Sequence, residues 1–305
     1  MAMAAAVVTP VEHRTSVRVE LGTERAPVLV RWSNWAPRFG SQEGVAYALL
    51  TAIGPVLVDP EAPAADPAGR VRRLVGRPPV ATLLTSDRHE RDAYAIRARW
   101  GTPVWAPAAG LPARGGELAG RPDHAFEDGA LLPGGVRALR VPGGWTGAEA
   151  ALLWAAPGGA RVLFTGDLLN GPCVPDQPTP YHGRRAPGLY AGVRWSHLAR
   201  LPDPARLRAG LRRLLAEDFD LVCGAHGLPF GAGPLPAGAP AGAAPPLGPG
   251  TGARAALIRL LELDWAAAIG AGRLPAVPGD GSGGAAIPWG TGEAARWVLA
   301  AGRRL

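Results

Sequence analysis

Short apolar runs separated by turn residues fill the first hundred positions, and this spacing is typical of β-strands. Residues 16–20 (SVRVE) alternate with a period of two, as expected of a strand that is buried on one face. The apolar runs 46–52 and 55–59 are joined at a Gly/Pro turn and predict a hairpin that ends at Asp59-Pro60. Residues 53–106 as a whole predict the order strand, helix, strand, helix, strand.

Later segments continue to mix strands with helices. Further predicted strands lie at 80–84, 103–105, 136–141, 151–154, 162–164 and 221–223, and predicted helices lie at 66–75, 90–100 and 204–215. Strands that come first and are then interleaved with helices favour a layered α/β sandwich with the helices on the outside.

The composition changes in the last third of the chain. Residues 227–252 are dominated by Gly, Ala and Pro, which predicts a loop or linker. Residues 253–268 then carry leucines and Trp265 at helical spacing, and a second short helix is predicted at 293–301. These patterns divide the chain into a main domain at 1–230, a linker at 231–252 and a C-terminal helical extension at 253–305 that packs on the domain.

The charge of the chain is basic, with a formal net charge of +7. There is no lysine, and the arginines are spread along the chain without a stripe of interleaved aromatic residues. Nucleic acid is therefore not an expected partner. The two cysteines do not form a disulfide framework, the N-terminal residues fall short of a signal peptide, and no apolar run is long enough for a membrane span. We expect a cytoplasmic protein that acts on a small molecule, away from membranes.

Residues able to carry chemistry cluster in four segments, each of which follows a predicted strand. These segments are Leu83-Leu-Thr-Ser-Asp-Arg-His-Glu-Arg-Asp92, Val141-Pro-Gly-Gly-Trp-Thr-Gly-Ala-Glu149, Leu163-Phe-Thr-Gly-Asp-Leu-Leu169 and Gly224-Ala-His-Gly227. Together with Val56-Leu-Val-Asp59 they resemble, in order and spacing, the motifs of the metallo-β-lactamase superfamily. The resemblance covers residues 15–230 and implies an αββα sandwich of four layers.

In that family a Thr-His-x-His-x-Asp-His loop, a Pro-Gly-His turn, a Gly-Asp and a Gly-His-Gly meet at one sheet edge. They hold two metal ions, usually zinc or iron, which activate a water molecule for hydrolysis. Of these ligands the chain keeps Asp167 and His226, while Gly144 stands where the turn has its histidine.

The first of these motifs is altered, and two alignments with the family are open. Without a gap, Ser86 and Arg88 replace its first two histidines, Glu90 replaces the aspartate and Arg91 replaces the last histidine. With one inserted residue, His89 falls on the second histidine and Asp92 on the last.

One hypothesis follows from the ligands that remain. The resemblance implies a single divalent ion (zinc, iron or manganese) held by Asp167, His226 and either Asp92 or Glu90, with His89 as fourth ligand or general base. The protein would then hydrolyse a small ester, a thioester or a related anionic metabolite, with His89 and Asp92 as catalytic residues.

The alternative is a metal-free, non-catalytic relative. Arg88 and Arg91 would pair with Asp167 and bind a small anionic ligand in place of the metals. Glu149 and His182 are further candidates for contacts with a substrate, although a loop-capping carboxylate and an exposed loop histidine are ordinary features of a protein surface.

Overall fold

The computed structural model describes residues 15–36, 42–62, 69–171, 188–192, 201, 203–231, 252–271, 273–278 and 287–288. Most of the linker predicted at 231–252, the helix predicted at 293–301 and His182 lie outside the described residues.

The first half of the chain forms a seven-stranded sheet in which the strands follow one another in chain order. These strands are β1 (Thr15–Gly22), β2 (Pro27–Ala36), β3 (Gln42–Thr51), β4 (Gly54–Val58), β5 (Ala81–Leu83), β6 (Val104–Pro107) and β7 (His124–Phe126). Strands β1 to β4 are antiparallel and include the predicted hairpin β3–β4, whereas β4 to β7 run parallel. Helices α1 (Arg70–Val75) and α2 (Ala93–Trp100) form the crossovers between the parallel strands.

The second sheet has six strands in the order β15-β14-β11-β10-β9-β8. These strands are β8 (Leu131–Leu132), β9 (Val136–Arg140), β10 (Ala150–Ala155), β11 (Arg161–Gly166), β14 (Leu221–Gly224) and β15 (Phe230–Gly231). Strands β11 and β14 are parallel neighbours, and helix α3 (Pro204–Arg213) lies between them along the chain. Asp203 caps this helix by accepting hydrogen bonds from the N–H groups of its first turn.

Three layers of apolar side chains hold the elements together. The central layer joins the facing sides of the two sheets and contains Leu49, Val58, Leu152, Trp154 and Phe164. A second layer packs α1 on the outer face of the first sheet, and a third packs α3 and the C-terminal helices on the outer face of the second sheet. Because helices cover both outer faces, the architecture is the predicted α/β sandwich with layers α, β, β, α.

The segment that follows the predicted linker packs on the second sheet. Two helices, α4 (Ala253–Glu262) and α5 (Trp265–Gly270), replace the single helix expected at 253–268. The break falls at Asp264, whose carboxylate accepts a hydrogen bond from the N–H of Ala267 and so caps α5. Leu257, Leu260 and Trp265 point into the third apolar layer.

Short strands complete the described part of the chain. Strand β13 (Gly188–Ala191) pairs with β12 (Leu169–Asn170) and with β17 (Ala276–Pro278), while β16 (Arg273–Leu274) pairs with β18 (Ile287–Pro288). The C-terminal segment is therefore not purely helical, and its exact division from the main domain stays a prediction. None of the helices within the described ranges is long and apolar enough to span a bilayer.

Candidate functional site

Parallel strand pairs in both sheets bring the motif residues to one edge of the sandwich. Asp59 and Thr85 follow the parallel neighbours β4 and β5, while Asp167 and His226 follow the parallel neighbours β11 and β14. The N–H of Ala150 donates to the carbonyl of Thr85 across the two sheets at 2.8 Å. The carboxyl ends of all four strands therefore meet in one place, as the resemblance predicts.

Asp59 is the buried anchor of the first motif. Its carboxylate accepts hydrogen bonds from the backbone N–H of Thr85 at 2.8 Å and from the Thr85 hydroxyl at 2.6 Å. Its second oxygen, Oδ2, also lies 2.9 Å from Nδ1 of His89. Because the Thr85 hydroxyl donates to Asp59, Nδ1 of His89 carries the proton that completes this last contact, and the ring orientation is fixed.

Asp167 lies between two imidazole rings. Its Oδ1 atom is 3.2 Å from Nε2 of His89 and 3.2 Å from Nε2 of His226. Both rings are buried, whereas the Asp167 side chain is one-quarter exposed. Oδ1 itself is buried and has no hydrogen bond of good geometry, so the two contacts act mainly through charge. A carboxylate oxygen and an unprotonated ring nitrogen are both acceptors and repel each other. The contact is favourable only when a proton or a metal cation lies between the two atoms.

The charges of this cluster depend on one another. Burial opposes the charged form of His89, but the carboxylates of Asp59 and Asp167 outweigh it and raise the pKa of His89 to about 10. Burial likewise opposes ionisation of the two carboxyls, and the facing imidazolium outweighs it, so that the pKa of Asp59 is lowered and that of Asp167 lies well below its usual value. Without a bound cation, His89 is an imidazolium held between two carboxylates.

Side chains from other strands hold the loop that carries His226. Its backbone N–H donates to Oδ1 of the buried Asn170 at 3.0 Å, and Asn170 donates in turn to the carbonyl of Gly192 at 3.0 Å. On the other side, the buried guanidinium of Arg31 donates to the carbonyl of Gly227 at 2.9 Å. The loop is therefore braced on both sides of the ring.

The opposite sheet adds two more contacts to the same loop. The hydroxyl of Tyr47 donates to the carbonyl of Gly224 at 2.8 Å, and the N–H of Val45 donates to the carbonyl of Ala225 at 3.0 Å. Strand β3 thus positions the histidine that follows β14.

The two arginines predicted to fill the metal cavity have other partners. Arg91 has a positive φ of 38° and donates to the carbonyls of Val45 at 2.6 Å and Asp59 at 3.0 Å. Arg88 is exposed, pairs with Glu117 and lies 6.0 Å from the centre of the Trp145 ring. Imidazoles, rather than these guanidiniums, face Asp167.

The acidic residues of the same motif are engaged with backbone groups. Asp92 accepts a hydrogen bond from the N–H of Ala62 at 2.6 Å, and Glu90 accepts from the N–H groups of Ala119 and Gly120, both at 2.8 Å. His89 contacts Asp167, as expected from the alignment with one inserted residue. Asp92, which the same alignment makes a ligand, binds the backbone N–H of Ala62 instead.

Glu149 approaches the turn where the family has its histidine. The side chain is 3% exposed, and its Oε1 accepts a hydrogen bond from the N–H of Thr146 at 2.7 Å. Its Oε2 is buried without a hydrogen-bond partner. Burial raises the pKa of Glu149, and the carboxylates of Asp167 and Asp87 raise it further.

The donor chemistry of the cluster suits one divalent ion. Within the described ranges no group of three or more His, Cys, Asp or Glu side chains is arranged to hold a metal as it stands. Two imidazole nitrogens and one carboxylate oxygen are nevertheless the donors that zinc and iron accept, and bonds of about 2.0–2.2 Å to a tetrahedral ion separate neighbouring donors by about 3.3–3.6 Å. The orphaned Oδ1 of Asp167, at 3.2 Å from both nitrogens, is close to that spacing.

Several solved structures are similar to the chain. A metallo-β-lactamase from Pontibacter korlensis is 14% identical with a TM-score of 0.49, over 72% of this chain and 94% of that one. One from Hirschia baltica is 16% identical with a TM-score of 0.48, over 73% and 93%. A protein solved in a di-iron-bound form is 27% identical with a TM-score of 0.44, over 62% and 90%. No protein-family model and no curated protein matches the chain.

The order of the strands and the four motifs at one edge assign the fold. The chain has a metallo-β-lactamase-like fold. In this metallo-β-lactamase-like protein, the sequence alone did not reveal the roles of Asp59, Thr85, Asn170 or Arg31. For Asp59 and Thr85 a signal existed, since both polar residues follow adjacent buried strands whose ends share one edge.

Proposed function

We propose that the chain is a metallo-β-lactamase-like hydrolase with a mononuclear site formed by His89, Asp167 and His226. The observation that carries this proposal is the buried Oδ1 of Asp167, which lies 3.2 Å from Nε2 of both imidazoles without a hydrogen bond of good geometry. A metal ion bound by these three donors would supply an activated water molecule and polarise the carbonyl or phosphoryl group of the substrate. The substrate class is a small ester, a thioester or a related anionic metabolite.

The residues around the donors support this role. The hydrogen bond from Nδ1–H of His89 to Asp59 leaves the lone pair of Nε2 free to bind an ion. A carboxylate behind a ligating histidine fixes the tautomer and increases the basicity of the ring. Asn170 and Arg31 hold the backbone of the His226 loop by hydrogen bonds and so help to position the ring.

The metal content of the purified protein tests the proposal. Protein stripped with a chelator is loaded with zinc, iron or manganese and measured by elemental analysis and calorimetric titration. We expect one equivalent to bind in wild type and none to bind in Asp167→Asn. Asp218→Asn is the matched control, because this aspartate is 80% exposed and pairs with Arg161 at the surface. Equal uptake by wild type and Asp167→Asn, or no uptake by either, contradicts the proposal.

A second candidate is the metal-free relative that binds an anion. It is favoured by the raised pKa of His89, because an imidazolium between Asp59 and Asp167 neutralises the cluster without a metal. Arg88, exposed beside Trp145, would then supply the positive charge for the ligand. Calorimetric titration with inorganic phosphate separates the candidates, since binding that survives a chelator and weakens in Arg88→Ala supports the metal-free form.

A further inference from the structure

Glu149 is a buried carboxyl group for which the described residues provide only half of the usual partners. Oε1 accepts a hydrogen bond from the N–H of Thr146, whereas Oε2 has no partner and the side chain is 3% exposed. A buried carboxylate without a cation or a second donor carries a large desolvation cost. The geometry therefore favours a proton on Oε2.

The position of this carboxyl group is tied to Gly144. A Cβ atom on Gly144 would overlap Oε2 of Glu149 and would lie 2.5 Å from its Cδ atom. Any side chain at 144 would need the volume that the carboxyl group occupies. Glu149 thus places an acid where the metallo-β-lactamase motif has its histidine, and the glycine makes room for it.

Two carboxylates near Glu149 favour its neutral form in the metal-free protein. Asp167, on the site side, and Asp87, which is 2% exposed, repel a negative charge at Glu149 and raise its pKa beyond the effect of burial. Asp87 itself receives one hydrogen bond, from the N–H of Glu117 at 2.9 Å, and its other oxygen is unpartnered.

A small cavity lies beside the segment that carries Glu149. The cavity has a volume of about 20 Å³, and its lining includes Phe126, Glu127, Asp128, Arg140 and Glu149. A volume of about 10–15 Å³ is enough for one water molecule when polar groups are available to it. Glu149 therefore lies beside a cavity large enough for one water molecule.

We propose that Glu149 is the proton donor of the site, a neutral acid that takes the place of the missing histidine and protonates the leaving oxygen of the substrate. This inference rests on the proposed hydrolase function. Water adds to the carbonyl carbon, the bond from that carbon to the leaving oxygen breaks, and that oxygen takes the proton of Glu149. The attacking water releases a proton to solvent, and a proton from solvent returns to Glu149 by way of the cavity.

Infrared spectroscopy of the full-length protein tests the protonation without a substrate. We expect wild type at pH 7 to show the carbonyl stretch of a neutral carboxyl group, and we expect Glu149→Gln to lose it. Glu127→Gln is the matched control because Glu127 lines the same cavity, is 58% exposed and pairs with Arg114. Loss of the band in both variants, or its absence from wild type, overturns the inference.

Ester hydrolysis by the metal-loaded protein tests the proton transfer itself. An alkyl ester needs a proton on its leaving oxygen, whereas a nitrophenyl ester does not. General acids contribute about 10²–10⁴-fold to a rate, so Glu149→Gln should lower kcat about 100-fold or more for the alkyl ester and by less than about 10-fold for the nitrophenyl ester. Equal losses for the two esters overturn the inference. Failure of the hydrolase proposal is a separate result, seen as Asp167→Asn matching wild type on both esters.

Discussion

Replacement of Asp59 by Asn tests whether the Asp59–His89–Asp167 chain stabilises the folded protein. Asp59 accepts three hydrogen bonds, from the N–H and hydroxyl of Thr85 and from Nδ1 of His89, at 2.8, 2.6 and 2.9 Å. Asparagine keeps the shape but offers a single acceptor oxygen, and its amide N–H₂ must face a donor. The variant loses at least one of the three bonds and leaves the His89 imidazolium with only one of its two counter-charges, that of Asp167.

The magnitude follows from the burial of both partners. Hydrogen bonds to charged groups contribute about 1.5–3 kcal/mol, and removal of one partner of a buried pair costs about 3–5 kcal/mol. The rise in the pKa of His89 from 6.5 to about 10 corresponds to about 5 kcal/mol of net stabilisation, which is what Asp59 and Asp167 together contribute after the opposing cost of burial. These contributions overlap and are not summed. We expect Asp59→Asn to lower the free energy of unfolding by about 3–5 kcal/mol at pH 7.

Equilibrium urea denaturation in the presence of a chelator measures this difference. The control Asp218→Asn removes an exposed ion pair with Arg161 and should cost less than about 1 kcal/mol. A cost for Asp59→Asn that does not exceed that of the control would refute the reasoning.

The pH dependence gives a second check with a defined sign. The pKa of His89 is raised, so its contribution is fully present below 6.5 and is lost as the pH rises through about 10. The pKa of Asp59 is lowered, so its contribution is present above 3.8 and is lost as the pH falls through its folded value. The difference between wild type and Asp59→Asn should be largest between these limits and should shrink at both ends. A difference independent of pH would contradict the assignment.

Three further variants test the surroundings of the site. Gly144→Ala should lower the free energy of unfolding by about 1–3 kcal/mol, because the added Cβ collides with the Glu149 carboxyl group. Adding Glu149→Ala to this variant should recover part of the loss in a double-mutant cycle. Additive losses would show that the two residues do not interact. Because the pKa of Glu149 is raised, this residue destabilises the fold progressively as the pH rises above 4.5. The melting temperature of Glu149→Gln should therefore fall less steeply with pH than that of wild type. Parallel curves for the two proteins would argue against this. Arg31→Gln should weaken zinc binding about 10–100-fold in calorimetric titration, since the carbonyl of Gly227 beside His226 loses its donor; unchanged affinity would mean that the loop needs no brace.

The arrangement of strands was accessible from local patterns in the sequence. The period-two alternation of β1 and the apolar runs of β3, β4, β5, β10 and β11 reflect burial of one or both faces of a sheet, and burial constrains residue type at each position. The order of the motifs placed Asp167 and His226 at strand ends, and parallel strands then require those ends to share an edge. The helix expected at 253–268 is divided in two, because a cap at Asp264 depends on local backbone geometry that periodicity does not show.

The identity of the partners at the site was decided by the tertiary structure alone. Spacing left the alignment of 85–92 open, whereas the structure places His89 between Asp59 and Asp167, which follow strands of different sheets. Arg88 and Arg91 have long, flexible side chains, so their positions in the sequence did not predict that one would pair with Glu117 and the other with backbone carbonyls. A sequence restricts which residues are buried and where strands end, whereas contacts between distant side chains depend on how two sheets pack, and the chemistry of this site consists of such contacts.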